Sequence, residues 1–276
     1  YPLFFEPILK KYIWGGRNLE KLGRDLPGSE KVAESWEIAA HEDGMTMVKN
    51  GPFAGKTLQE LLSLLGVDLV GTKNRWALER DKFPLLVKLI DANQNLSVQV
   101  HPDDDYAREH EGNELGKNEM WVVMDAQPGA AIIYGLSENV TPKAFRQAIT
   151  NGNLAPYLNK MPIKKGDHVC VPSGTLHAIL SGALITEIQQ NSNTTYRVYD
   201  WNRVGKDGKP RQLHVEKALD VIDFDQVGMP LSSSTVLHSG DDWTCERLCQ
   251  NKYFTTERFE IKRNASYMGN CDGSTM

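Results

Sequence analysis

Short segments with a strand-like pattern, each bounded by turn residues, run through the middle of the chain. Alternation of apolar and polar side chains is typical of strands that bury one face. Strand candidates are residues 34–38, 96–101, 120–125, 130–134, 168–171, 184–190 and 195–200. Residues 83–90 are mostly apolar, with Lys88 as their one charge, and predict a buried strand. Many short strands separated by turns favour a β-sandwich or jelly roll over a parallel α/β sheet.

Helical spacing interrupts this pattern in a few places. Thr57 followed by Glu60 forms a capping-box motif and predicts a helix over 57–65. Thr141 before Pro142 predicts the start of a second helix, which continues over 143–150. The pattern also indicates a short helical piece at 154–158 and a helix at 213–221. The sequence therefore predicts a mainly β fold with helical insertions.

The character of the sequence changes beyond about Phe224. Residues 226–240 contain Ser, Gly and Pro and are predicted to be a linker. Strand-like patterning resumes at 243–248 and 253–261. We therefore expect a β-rich domain at 1–225, then the linker, and at 241–276 the start of a second, incomplete β domain. Either end of the chain is expected to be open to extension.

Composition narrows the class of protein. The 276 residues are 40% hydrophobic and 24% charged with a net charge of -5, as in ordinary soluble proteins. No Lys/Arg run supports nucleic-acid binding, and no apolar run approaches the roughly 20 residues of a membrane helix. No signal peptide is recognisable, which predicts a cytoplasmic protein. Without a CxxC pair, all four cysteines are expected to be free thiols, namely Cys170, Cys245, Cys249 and Cys271. Cys245 and Cys249 lie four residues apart and could share a helical face.

Four potential metal ligands fall in two separated stretches. Gln99 and His101 lie two apart and would share one face of a strand, and Glu119 follows downstream. His177 comes just after a Pro-Gly turn, which would deliver its imidazole from a defined corner. Two imidazoles, a carboxylate and an amide oxygen suit a divalent ion such as zinc. The absence of a thiolate ligand favours an open site over a closed structural one.

Charged residues lie close to these ligands in the sequence. Lys117 would share a strand face with Glu119. Glu187 and Arg197 flank the segment 184–200, where charges need partners. The alternative to a functional role is that Glu187 and Arg197 form an ion pair with each other on a solvated edge.

Four segments carry a resemblance to a known family: FPLLVKLIDANQNLSVQVHPDDDYA (83–107), GKNEMW (116–121), GDHVCVPSGTLHAI (166–179) and EIQQNSNTTYRVYDWNR (187–203). With them the chain resembles the type I mannose-6-phosphate isomerases of the cupin superfamily, in their short bacterial form. The resemblance implies a cupin-type jelly-roll sandwich in the domain at 1–225 and one zinc ion per chain. It implies the zinc ligands Gln99, His101, Glu119 and His177. It also implies an active-site Arg197, with Lys117, Glu187, Lys88 and Ser97 lining a sugar-phosphate pocket.

Two positions depart from the pattern of that family. Asn193 stands where the family usually has Asp, which argues against an acid–base role there. Gly116 precedes Lys117 where many relatives have His, which removes one candidate for proton transfer.

The resemblance predicts interconversion of mannose 6-phosphate and fructose 6-phosphate through an enediol. Glu187 or Lys117 is the candidate base, Arg197 would stabilise the enediolate or orient the substrate, and Lys88 with Ser97 are candidates for the phosphate end. Two alternatives are an iron-dependent cupin oxygenase, since two His and a carboxylate also bind iron(II), and a non-catalytic sugar-binding or structural cupin. The expected partner is a small sugar phosphate, with no nucleic acid and no membrane, and the expected state is a monomer or weak homodimer.

Overall fold

The computed structural model describes residues 1–205 and 208–268. In this part of the chain the strands are β1 Phe5–Glu6, β2 Ile8–Lys10, β3 Glu34–Ile38, β4 Ala40–His41, β5 Gly44–Met45, β6 Met47–Val48, β7 Leu85–Ala92, β8 Val98–Val100, β9 Glu119–Ala126, β10 Ala131–Leu136, β11 Leu158–Pro162, β12 His168–Val171, β13 His177–Ile179, β14 Ala183–Gln190, β15 Tyr196–Tyr199, β16 Thr235–Ser239, β17 Trp243–Gln250 and β18 Thr255–Ile261. The α-helices are α1 Leu58–Leu65, α2 Val67–Val70, α3 Arg75–Glu79, α4 Asp104–His110, α5 Pro142–Thr150 and α6 Val215–Val221.

Two antiparallel sheets form a jelly-roll sandwich. One sheet has the strand order β12-β9-β14-β7-β3-β2, and the other has the order β11-β10-β13-β8-β15. A core cluster between them contains Trp121 and Ile185 from the first sheet and Ile132 and Ile179 from the second. The predicted mainly β, cupin-type sandwich is confirmed.

The helical insertions cover the outside of this sandwich. Phe145 of α5 and Ala218 of α6 pack with Val98 and Val100 on the outer face of the five-stranded sheet. Helix α1 begins as the sequence indicates, because Thr57 Oγ1 accepts a hydrogen bond from the Glu60 amide at 3.1 Å and the Glu60 carboxylate accepts one from the Thr57 amide at 2.7 Å. The predicted helical piece at 154–158 is a 3-10 helix, Ala155–Tyr157, which leads directly into β11.

A third sheet, in the order β16-β17-β18, packs beside the sandwich. Its first strand lies inside the predicted linker of residues 226–240, so that part of the linker prediction is wrong. Leu248 and Cys249 of β17 pack against Met120 of the six-stranded sheet, which places this third sheet on the outer face of that sheet. The division into domains at 1–225 and 241–276 stays a prediction.

The cysteine predictions need correction. Cys170 of β12 and Cys249 of β17 form a disulfide with their Cα atoms 5.9 Å apart, so they are not free thiols. Cys245 is free and buried, and it shares strand β17 with Cys249 rather than a helical face. Cys271 lies outside the described residues. None of the helices in the described ranges is long and apolar enough to cross a membrane.

Candidate metal centre and active-site cavity

The two sheets bring the four predicted ligands together at one end of the sandwich. One ligand atom from each of His101, Glu119 and His177 lies within 4.8 Å of the others, and all three side chains are buried. Gln99 is the antiparallel partner of His177 across β8 and β13, and its amide nitrogen lies 3.4 Å from His177 Nε2. Gln99 lies in β8 and His177 in β13 of the five-stranded sheet, and His101 follows directly after β8. Glu119 is the first residue of β9 in the other sheet.

Backbone carbonyls fix the orientation of both imidazoles. His101 Nδ1 lies 2.8 Å from the Thr194 carbonyl oxygen, and His177 Nδ1 lies 2.8 Å from the Thr175 carbonyl oxygen. A carbonyl only accepts hydrogen bonds, so each Nδ1 carries the proton and each Nε2 keeps a lone pair. Metal-binding histidines are usually held in this way. Both Nε2 atoms are therefore ready to coordinate a cation.

The electrostatics of the buried ligands fit a divalent ion. Burial lowers the pKa of His177 to about 4 and lowers that of His101 well below its ordinary value, so both rings are neutral at pH 7. Burial also raises the pKa of Glu119 to about 7, although the Lys117 ammonium opposes this shift. Glu119 Oε1 is buried and makes no hydrogen bond in the described structure. A cation would satisfy this oxygen and offset the cost of burying the carboxylate.

A cavity of about 270 Å³ opens beside the ligands. This volume is close to the lower end of the roughly 300–1,000 Å³ that is typical of small-ligand sites. Ser97, Lys88, Lys117, Glu187 and Arg197, all predicted to line a substrate pocket, do line this cavity. Gln99 and Asn193 also line it, and the rest of its wall includes residues that the sequence analysis did not single out, among them Tyr12, Glu34, Thr195 and Arg211.

Glu187 and Lys88 form a buried ion pair in the cavity wall. The pair is directly cross-strand between β14 and β7, with Lys88 Nζ 3.1 Å from Glu187 Oε2. Trp121 Nε1 donates a hydrogen bond to Glu187 Oε1 at 3.1 Å. Burial would raise the pKa of Glu187, but the Lys88 and Lys117 ammonium groups outweigh it and lower the pKa to about 2. Glu187 is therefore ionised at neutral pH.

The alternative of a mutual Glu187–Arg197 ion pair is wrong. Arg197 Nε donates to Ser97 Oγ at 3.1 Å, and its Nη1 donates to the Gln212 carbonyl oxygen at 3.0 Å. Ser97 in turn donates to Gln99 Oε1 at 3.1 Å. These contacts link the predicted ligand Gln99 to Arg197 along the cavity wall.

Lys117 lies against two of the predicted metal ligands. Its ammonium donates to Glu119 Oε2 and lies 2.8 Å from His101 Nε2. The side chain is buried, with an exposed fraction of 4%. Lys117 therefore places a positive charge between the ligand cluster and the cavity.

Known proteins resemble this chain over nearly all of its length. A family model described as phosphomannose isomerase type I, catalytic domain, matches residues 3–127. A probable mannose-6-phosphate isomerase of Bacillus subtilis, GmuF, is 42% identical over 268 residues, which cover 97% of this chain and 82% of that protein. The mannose-6-phosphate isomerase of Streptococcus mutans is 44% identical over 261 residues, covering 94% of this chain and 79% of that protein. The chain belongs to the type I phosphomannose isomerase family.

Solved structures of family members share the fold. The mannose 6-phosphate isomerase of Bacillus subtilis superposes with a TM-score of 0.83 at 39% identity, covering 95% of this chain and 80% of that one. A zinc-bound mannose 6-phosphate isomerase superposes with a TM-score of 0.65 at 15% identity, covering 89% of this chain and 82% of that one. At the lower identity the likeness concerns the fold alone.

The structure explains one departure from the pattern of type I phosphomannose isomerases. A Cβ atom at Gly116 would lie 2.5 Å from the backbone carbonyl carbon of Asp103, so the chain has no room there for the histidine of many relatives. Asn193, the other departure, lines the cavity and donates to Asp43 Oδ2 at 2.7 Å. In this structure its amide links two loops at the cavity rim.

Proposed function

We propose that this protein interconverts mannose 6-phosphate and fructose 6-phosphate. Membership of the type I phosphomannose isomerase family supports the substrate. The observation that carries the proposal is an ionised, buried Glu187 in the wall of a cavity that opens beside two neutral imidazoles and an unsatisfied Glu119 oxygen. This combination supplies a proton acceptor beside a cation site, which is what isomerisation of a hydroxy-aldehyde requires.

We propose that one zinc ion per chain is held by Gln99, His101, Glu119 and His177. When bound, a redox-inert cation of this kind polarises a carbonyl and the adjacent hydroxyl oxygen. The rigid imidazoles, each fixed by a backbone carbonyl, support this ligand set. The Gln99 amide turns its nitrogen toward His177 Nε2 and its oxygen toward Ser97 Oγ, so coordination through the oxygen would require this amide to flip.

Glu187 is the better candidate for the base, and Lys117 is not required for that role. The Glu187 carboxylate would take the proton from C2 of mannose 6-phosphate and return it to C1, while a hydroxyl proton moves from O2 to O1. Its lone pairs are available because it is ionised, whereas the Lys117 ammonium already donates to Glu119. Lys117 would stabilise the negative charge that develops on the enediolate oxygens, and Arg197 would orient the substrate.

Ser97 and Lys88, both predicted to bind substrate, are proposed to have different roles. Ser97 is hydrogen-bonded to both Arg197 and Gln99 and would orient the sugar between them. Lys88 is buried against Glu187 and keeps that carboxylate ionised and fixed. The predicted cytoplasmic location and the monomeric or weakly dimeric state stay predictions.

Proton exchange tests this function directly. Mannose 6-phosphate incubated with the zinc-loaded protein in D2O should yield fructose 6-phosphate, with solvent deuterium appearing in the transferred position by NMR. Glu187→Gln should bind the substrate but show neither product nor exchange, and Glu216→Gln, an exposed carboxylate on α6, serves as the control. Tight substrate binding without exchange in the native protein would favour a non-catalytic cupin. Oxygen uptake by an iron-loaded sample would favour the oxygenase.

A further inference from the structure

Arg211 occupies a position in the cavity wall that the proposed chemistry does not use. Its side chain lines the same cavity as Arg197 and Ser97. Asp200 holds the guanidinium on one edge, with Nε 2.7 Å from Oδ2 and Nη2 2.5 Å from Oδ1. Its Nη1 makes no hydrogen bond to any residue in the described ranges. A fixed guanidinium with an unused N–H edge is typical of an anion-binding group.

The surroundings of Arg211 carry an excess of positive charge. Arg203 pairs with the same Asp200 carboxylate, so one buried carboxylate serves two guanidinium groups. Arg197 and Arg211 line the same cavity, and burial and then the nearby Arg211 charge lower the pKa of Arg197. Of these arginines only Arg197 and Arg211 line the cavity, and their two guanidinium groups match the charge of a phosphate dianion.

The other cations of the cavity are already committed. Lys88 is paired with Glu187, and Lys117 donates to Glu119 beside the metal ligands. Both are buried, whereas the Arg211 side chain is 31% exposed. A dianion that enters from solvent would therefore meet Arg211 before it met either lysine.

We propose that Arg211, together with Arg197, binds the phosphate group of the sugar phosphate at the end of the cavity away from the metal ligands. This inference rests on the proposed function and names the residue that selects a phosphorylated sugar. The contacts from Gln99 through Ser97 to Arg197 lead to this end of the cavity. With the phosphate held there, the carbonyl end of the sugar faces the metal ligands and Glu187.

Arg203 offers a matched control. It pairs with the same Asp200 oxygen, and its Nη1 donates to the Asn95 carbonyl oxygen at 2.6 Å, but it is not among the residues that line the cavity. Arg203→Gln and Arg211→Gln each remove one guanidinium from Asp200 and leave the other in place. Both variants should therefore fold, and only Arg211→Gln should remove a phosphate contact.

The test combines steady-state kinetics on mannose 6-phosphate with inhibition by inorganic phosphate. Loss of a hydrogen bond to a charged group corresponds to roughly a 10- to 100-fold change in affinity. Arg211→Gln should raise KM and the phosphate inhibition constant by similar factors of this size, with a smaller effect on kcat. Arg211→Lys should recover part of the loss, because it keeps the charge but not the bidentate contact with Asp200. Arg203→Gln should leave both constants unchanged.

Two results would overturn the inference. Unchanged KM and inhibition constant in Arg211→Gln would remove phosphate binding from this residue while leaving the isomerase function intact. An equal rise in both constants for Arg203→Gln would assign the effect to the Asp200 ion-pair cluster as a whole. If the native protein proves inactive, calorimetric titration of the zinc-loaded protein with inorganic phosphate still compares the same variants, so the two failures are distinguishable. Thermal unfolding verifies that each variant is folded. If Arg211→Gln does not fold, Arg211→Lys is compared with Arg203→Gln in its place.

Discussion

Removal of one member of the Lys88–Glu187 pair should destabilise the protein much more than removal of both. Both side chains are about 95% buried, and their charged atoms are 3.1 Å apart. Glu187→Gln leaves the Lys88 ammonium in the sandwich without its main counter-charge. The new amide oxygen can still accept the hydrogen bond from Trp121, so this substitution removes little besides the charge.

Two routes give a similar magnitude for this effect. The pKa of Glu187 falls from its ordinary 4.5 to about 2, which corresponds to roughly 3 kcal/mol of stabilisation at neutral pH. Measured losses after breaking one member of a buried ion pair are about 3–5 kcal/mol. Each of Glu187→Gln and Lys88→Met should therefore lower the free energy of unfolding by about this amount. The double variant should lose far less than the sum, because replacing a whole buried pair by neutral groups is often close to neutral.

Urea unfolding of the four proteins at pH 7 measures this double-mutant cycle. Glu216→Gln is the control, because its partner Arg146 is about half exposed and such surface pairs contribute about 1 kcal/mol or less. Glu187 has a folded-state pKa below its ordinary value, so its contribution is present above pH 4.5 and should be lost as the pH falls toward about 2. Two results would refute the buried-pair reasoning. One is a double variant whose loss of unfolding free energy equals the sum of the two single losses. The other is a pair of single losses no larger than that of Glu216→Gln.

Two further substitutions test local features of the fold. Gly116→Ala should lower both the thermal unfolding temperature and turnover, because the new Cβ would meet the Asp103 backbone at 2.5 Å and displace the adjacent Lys117. Native stability and activity in this variant would contradict the close approach of the two backbone segments. Thr57→Ala should lower the free energy of unfolding in urea by about 1 kcal/mol, because α1 loses its N-cap. The control Ser63→Ala, on the exposed side of the same helix, should lower it by close to nothing. Equal losses in the two variants would argue against the capping box.

Much of the sandwich and of the ligand cluster could be predicted from the sequence because both depend on short-range periodicity. The two-residue period of a strand places Gln99 beside His101, and the Pro-Gly turn before His177 sets where β13 begins. Helix α1 is fixed by a motif of four residues. The strand candidate at 168–171 matches β12 residue for residue.

Features that depend on tertiary partners could not be predicted in this way. Strand β16 has the composition of a linker and becomes a strand only by pairing with β17. The sequence also could not identify the ion-pair partner of Glu187, because the register between β14 and β7 decides that Lys88 rather than Arg197 faces it. Arg211 carries no local signal, since it is its tertiary ion pair with Asp200 that holds its guanidinium in the cavity wall.

The most direct test of the central claim is a coupled assay of mannose 6-phosphate isomerisation before and after metal removal. The native protein should contain about one zinc ion per chain, lose turnover after treatment with a chelator while it stays folded, and regain turnover when zinc is restored. Full turnover in a folded, metal-free sample would contradict the assignment of Gln99, His101, Glu119 and His177 as ligands that catalysis requires. Absence of turnover in a folded, zinc-loaded sample would contradict the isomerase itself.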